Sequence, residues 1–330
     1  MHEALYAAPR PDGSVQCLLC PHACVLKPGE RGVCRARGSE RGTLVSYNYG
    51  AVTAAALDPV EKKPLYHFRP GTRVYSLGTF GCNLACDFCQ NHAISQAEAP
   101  PYRSLSPDDA VLSARASGAT GIAFTYSEPV VWIEYVLDVA SRYEGDRILV
   151  SNGYINARPL SDLAAVIDAA NIDVKGGEAF YGRRCHAPYH DALRTIRRLF
   201  ERGVHVEATT LVIPDENDAD ADLSPLFSGL CAISPDIPLH LSRFYPHFRM
   251  LDVPPTPEET LWRARELAHE AGLRYVYLGN LPADTNTYCP FCGATLVPRS
   301  GYRVDRPSLR NGTCPTCGRE IYGTWQTLKK

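Results

Sequence analysis

No run of apolar residues in this chain approaches the roughly 20 needed to cross a bilayer. The opening Met1-His2-Glu3 has neither the basic nor the apolar stretch of an export signal. An excess of one charge is missing too: 34 Lys and Arg stand against 36 Asp and Glu, a net charge of −2. Nothing therefore draws the chain electrostatically toward nucleic acid or an anionic membrane. A complete disulfide framework is not expected either, because thirteen cysteines is an odd number and the chain shows no export signal. The expectation is a soluble, cytoplasmic protein with no membrane partner and no nucleic-acid partner. At 330 residues it fits one barrel-sized domain with small appendages.

What the chain does have is clustered cysteine. Eleven of the thirteen fall into three groups: Cys17, Cys20, Cys24 and Cys34; Cys82, Cys86 and Cys89; and Cys289, Cys292, Cys314 and Cys317. In a reducing compartment such clusters point to metal sites. The middle group lies in Gly81-Cys82-Asn83-Leu84-Ala85-Cys86-Asp87-Phe88-Cys89-Gln90, directly after 74–79, which reads as a β-strand. Three thiolates on one short loop can hold three corners of a [4Fe-4S] cubane and leave one iron open to a small molecule. On spacing alone zinc is the alternative, with His92 completing a Cys₃His tetrahedron.

The first cluster has His22 among its cysteines and reads either as a zinc knuckle or as an auxiliary iron–sulfur cluster. The last consists of two CxxC knuckles separated by twenty-one residues, a zinc-ribbon pattern with iron as the lesser alternative. Arg299, Arg303, Arg306 and Arg310 make that ribbon basic, as a solvated loop or as a surface for an acidic partner or RNA. Cys231 reads as a small buried apolar residue. Cys185 lies in a long loop, either as an ordinary thiol or facing a substrate.

Between the outer clusters strands and helices alternate. Strands are expected near 74–79, 120–125, 147–151, 171–174, 204–212, 238–244 and 274–278. Ser106 caps a helix that has Pro107 in its first turn and ends at Gly118; further helices are expected at 130–142, 160–169, 191–202 and after Thr256. Such alternation implies an α/β fold with a parallel sheet, whose chemistry sits at the C-terminal strand ends. Glu128, Ser151, Asn152, Asp173, Lys175, Val212 and Ile213 all fall at those ends, and His240 lies in the sixth strand. The stretch 57–71 reads as extended, partly exposed chain, with Lys62 and Lys63 either solvated or meeting an anion.

The cysteine loop, with an aromatic residue before its last cysteine, resembles the signature of radical S-adenosylmethionine (SAM) enzymes. The whole chain resembles the radical SAM member of the AmmeMemoRadiSam group, a branch similar to the pyruvate formate-lyase activating enzymes. The matching stretches include Cys17 to Cys24, Glu61-Lys62-Lys63-Pro64-Leu65, Cys82 to His92, Phe124 to Pro129, Asn171 to Lys175, His240 to Pro246 and Tyr288-Cys289-Pro290. The resemblance implies a partial (β/α)₆ barrel at 73–282, a Cys-rich extension at 1–72 and a zinc-ribbon-like module at 283–330. It further implies an oxidoreductase-type enzyme in which a [4Fe-4S] cluster cleaves SAM to a 5′-deoxyadenosyl radical. That radical takes hydrogen from a small molecule or from a glycyl-radical-type protein.

By position, Glu128 would receive the methionine amino group, Ser151 and Asn152 would lie near ribose, and Asp173 and Lys175 near methionyl or ribose groups. Val212 and Ile213 would pack on adenine, and His240 would join the cofactor site. Tyr126-Ser127-Glu128 departs from the family's usual two glycines before the glutamate. A reductant such as flavodoxin or ferredoxin, and the partner families of the group, are the implied partners. The opposing hypothesis is a non-enzymatic multi-zinc scaffold for protein or RNA, which leaves the polar residues at the strand ends without a role.

Overall fold

A computed structural model describes residues 1–98, 100–305, 307–309 and 311–325. Eight strands form its central sheet: β1 (Ala54–Pro59), β2 (Arg73–Gly78), β3 (Gly121–Phe124), β4 (Asp146–Ser151), β5 (Ala169–Asp173), β6 (His205–Val212), β7 (Leu239–Arg243) and β8 (Val276–Gly279). Their spatial order follows the chain from β1 to β8. From β2 onward every neighbouring pair is parallel, and β1 runs antiparallel to β2. Parallel neighbours need long crossovers, here supplied by helices α1 (Pro107–Ala116), α2 (Ile133–Arg142), α3 (Ala157–Ala164), α4 (Ala192–Glu201), α5 (Asp220–Cys231) and α6 (Glu258–Glu270). The fold is the α/β partial barrel that the alternation implies, with one more parallel strand than six units require.

Local chemistry fixes several helix ends. The Ser106 hydroxyl accepts from Asp109 N at 3.1 Å with Pro107 at the first helical position, and Asp191 caps α4 through Leu193 N. Helix α5 has no clear signal in the sequence, because Pro225 and Gly229 interrupt its pattern; it forms because Leu223, Phe227 and Leu230 are buried in the outer core. That core lies between helices and sheet and takes the outward side chains of the strands, among them Phe124, Ile172 and Val206.

The inward side chains tell a different story about residues 57–71. Far from being exposed linker, this stretch begins in β1 and then enters the barrel. Val60, Leu65 and Phe68 pack against Val74, Ala123, Ile148 and Ala169 on the inner faces of β2 to β5. The small residues Ala123 and Ala169 leave room for this plug. Its backbone is held by the fully buried Glu207 of β6, which accepts from Tyr66 N at 3.0 Å and His67 N at 2.7 Å. The central sheet therefore begins at Ala54, within the expected 1–72 extension. Preceding it are two small antiparallel sheets. The C-terminal segment closes the N-terminal strand ends, where Tyr322 exchanges hydrogen bonds with Val206 and Thr324 N donates to His67 O. The opposite end remains open.

Candidate active site and metal centres

At the open end, the loop after β2 carries Cys82, Cys86 and Cys89. Gly81 begins it at φ +89°, and a Cβ there would stand 2.6 Å from Cys34 O, so only glycine fits. The far side of the loop is clamped by residues 184–185, since Ala85 N donates to Cys185 O at 3.0 Å and Asp87 N to Arg184 O at 2.9 Å. Asn83 is fully buried and anchors the loop from beneath, donating to Tyr154 O at 2.7 Å and accepting from Asn152 Nδ2 at 2.9 Å.

Each sulfur has a distinct setting. Cys82 Sγ receives Leu84 N at 3.3 Å and Asn152 Nδ2 at 3.6 Å, and Cys89 Sγ lies 3.1 Å from Ser95 Oγ. Burial pushes the Cys82 and Cys89 thiols up. Cys86 moves the other way, because the Cys185 thiol hydrogen-bonds its sulfur; Cys185 is correspondingly raised. Cys185 is thus a buried neighbour of the cysteine loop and does not line the cavity described next.

His92 does not close a tetrahedron with these sulfurs. Its ring stacks on Phe248 with centroids 4.3 Å apart, and Nδ1 lies 3.3 Å from Cys89 O. Among the described residues, the three sulfurs and His92 do not form a group with ligand atoms within 4.8 Å of one another, whereas the C-terminal quartet does. The wider spacing suits a multi-iron cluster better than a single ion.

Above the loop opens a cavity of about 460 Å³, within the range of small-molecule sites. Glu128, Ser151, Asn152, Asp173 and Lys175 all line it beside the three cysteines. Glu128 is 2 % exposed. Its Oε1 accepts from Ser151 Oγ at 2.7 Å and Val130 N at 2.9 Å, and its Oε2 from Asn152 N at 2.8 Å. Burial outweighs these donors and raises its carboxyl to about 7. Such a group gains most from a cationic ligand. Lys175 donates to Asp173 at 2.8 Å, while Lys62 and Lys63 meet at Asp58, Lys63 almost fully buried. Neither of those two lysines is simply solvated.

Strand parity separates the remaining residues. Along β6, Glu207, Thr209 and Leu211 face inward, the latter two onto the cavity; Val206, Ala208 and Val212 face the outer core. Val212 and Ile213 are fully buried and neither lines the cavity. His240 is likewise absent from its wall and donates deeper in the barrel to Glu207 Oε2 at 2.7 Å. The residues that the sequence leaves unassigned, Thr209, Leu211, Ser242 and Asn280, line it instead. For Thr209, Leu211 and Ser242 the signal is the two-residue alternation once the inward face is known; Asn280 lies just past β8 at φ +62°, where that alternation has ended.

The sequence profile described as the radical SAM superfamily matches residues 76–224, a span that contains the cysteine loop and Glu128. An uncharacterized protein of Methanocaldococcus jannaschii is 41 % identical over 331 residues, covering 97 % of this chain and 99 % of that protein. Residues 76–224 are a radical SAM domain. Streptococcus suis SuiB bound to S-adenosylmethionine superposes with a TM-score of 0.50 at 12 % identity, over 70 % of this chain and 56 % of SuiB. A domain of pyruvate-formate lyase-activating enzyme from Bacteroides vulgatus, at 15 % identity, covers 49 % of this chain and all of that domain with a TM-score of 0.42.

Beyond the radical SAM domain the chain carries its C-terminal quartet at single-ion spacing, with Cys289 and Cys317 sulfurs 3.6 Å apart and Cys292 and Cys314 at the same distance. In the ribbon, Arg299 is not a surface charge: it is buried, donates to Thr287 Oγ1 at 2.7 Å and lies 4.6 Å over the Tyr66 ring. Arg303 is exposed, and Arg306 and Arg310 lie outside the described residues. Cys231 is half-buried rather than buried, at the edge of the outer core. No helix among the described residues is long and apolar enough to cross a membrane.

Proposed function

We propose that this radical SAM enzyme binds a [4Fe-4S] cluster through Cys82, Cys86 and Cys89 and SAM in the adjoining cavity, and uses them to take hydrogen from a substrate. The observation that carries the reading is the shared cavity: three cysteines with, among the described residues, no fourth protein ligand at single-ion spacing, beside the buried carboxylate of Glu128. The cluster, when bound, supplies the electron that breaks the sulfonium bond of SAM to give a 5′-deoxyadenosyl radical. The chain's residues do the rest. Glu128 receives the methionine ammonium, held in place by the Ser151 hydroxyl and the Val130 and Asn152 amides. Asp173 and Lys175 supply charge on the next strand, and Leu211 offers an apolar wall. Asn152 bridges the two halves of the site, since its amide contacts both Cys82 and Asn83.

The C-terminal quartet, at its short sulfur spacing, takes zinc in this reading. Motifs running from residue 17 to the C-terminus support placement in the AmmeMemoRadiSam group. The test is anaerobic reconstitution followed by dithionite and SAM. Wild-type protein should yield 5′-deoxyadenosine, and Cys86→Ala should not. Undiminished product from that variant would overturn the proposal.

A further inference from the structure

Cys17, Cys20, Cys24 and Cys34 surround a hollow of about 10 Å³ that is also lined by Gly32 and Arg37. A space that admits a water-sized sphere keeps its walls too far apart for one zinc, whose thiolates stand roughly 2.3 Å from the ion and so about 3.8 Å from one another. The C-terminal quartet of the same chain shows the single-ion arrangement, with sulfurs 3.6 Å apart in pairs and all within 4.8 Å. Among the described residues the N-terminal quartet does not meet that limit, and neither does the Cys82 triad.

One further feature suits a larger group. Arg37 is 1 % exposed; its Nη1 binds Glu134 and its Nη2 binds Leu5 O, yet its Nε is buried with no hydrogen-bond partner among the described residues. An unspent N–H at the wall of a thiol-lined hollow fits a sulfide or thiolate acceptor. His22 also lines the hollow, with Nε2 at 2.7 Å from Asn83 O; the four cysteines by themselves make a complete ligand set.

We propose that Cys17, Cys20, Cys24 and Cys34 hold an auxiliary [4Fe-4S] cluster, fully ligated by protein, with Arg37 Nε donating to one of its sulfurs. The site abuts the radical SAM loop, since Gly81 packs against Cys34 and His22 binds Asn83. The assignment does not depend on the Cys82 triad binding a cluster.

The experiment counts iron, zinc and sulfide in full-length protein reconstituted anaerobically with iron and sulfide. The variant Cys82→Ala/Cys86→Ala/Cys89→Ala should retain about four irons and about four sulfides per chain, with a reduced EPR signal that SAM leaves unchanged. The same variant without iron, carrying about two zinc ions per chain, would overturn the proposal. In the wild-type background, Cys20→Ser/Cys24→Ser should lose about half of the iron; retention of all of it counts equally against the assignment. Should the second variant fail to fold, the first decides alone. Failure of the radical SAM reading looks different: a wild-type EPR signal that SAM does not perturb, whatever the N-terminal iron count.

Discussion

The Tyr126 hydroxyl donates to Asp58 Oδ2 across 2.7 Å, from a backbone held at φ +71°. That conformation suits glycine and costs other residues about 1 kcal/mol. Here a tyrosine is kept in place by its own side chain: the phenol reaches Asp58, and Lys63 Nζ lies 4.6 Å over its ring. The left-handed turn aims Glu128 into the cavity, so the strain belongs to the site.

Tyr126→Phe keeps the ring and removes that donor. It should lower the unfolding free energy by about 2 kcal/mol, measured by urea denaturation. Burial would raise the Asp58 carboxyl, but Lys63, Lys62 and Tyr126 together hold it well below the usual range. A lowered carboxylate contributes stability at neutral pH that disappears as pH falls past its unfolded value toward its folded one. The gap between variant and wild type should therefore shrink in acid; a constant gap would remove Asp58 from the explanation.

Glu128 titrates in the physiological range, at about 7, because burial raises it. A ligand ammonium meets the ionised form, so SAM affinity should rise about tenfold between about pH 6 and pH 8. Calorimetric titration of cluster-loaded protein would read this. Glu128→Gln should bind more weakly and show a flat profile over that interval. An equally steep profile in the variant would assign the titration to another group.

The buried Cys185 thiol sits beside Cys86 and pulls that thiol down, as a hydrogen bond to its sulfur would. Hydrogen bonds to ligating sulfurs are among the features that set a cluster's potential, and loss of one disfavours the reduced, more negative state. Cys185→Ala should lower the reduction potential by on the order of tens of millivolts. A redox titration followed by EPR is the measurement. An unchanged potential would leave Cys185 with packing alone.

His240 and His205 both donate to the buried Glu207, at 2.7 Å and 3.0 Å. Burial would raise that carboxyl, yet the two histidines hold it well below its ordinary value. His240→Ala removes one donor from a fully buried carboxylate and should cost about 3 kcal/mol of stability. SAM affinity should stay within about twofold, because the histidine lies below the cavity rather than on its wall. A large loss of affinity in stable, folded variant protein would return His240 to the cofactor site.

Much of this enzyme is written locally. Alternating strands and helices, the Ser106 and Asp191 caps, and the spacing of Cys82, Cys86 and Cys89 are short-range patterns, and each can be read without knowing what lies beside it. The same holds for the polar residues that follow each strand, because a parallel sheet puts all those ends on one side. Glu128, Ser151, Asn152, Asp173 and Lys175 reach the cavity for that reason.

What the sequence leaves undecided is which way a side chain faces and what distant segment meets it. Leu211 lines the cavity while its neighbours Val212 and Ile213 do not, since alternate residues of a strand point to opposite faces and one position reverses the outcome. The lysine- and proline-rich stretch after Asp58 looks solvated by composition, yet the small residues Ala123 and Ala169 on two later strands leave a space that it fills. The hollow among Cys17, Cys20, Cys24 and Cys34 depends on how antiparallel strands and turns set four sulfurs apart, a distance that spacing along the chain does not encode. Cysteine order belongs to the sequence; the room between the sulfurs belongs to the fold, because contacts with Val131, Glu134 and Asn156, far along the chain, place the loops.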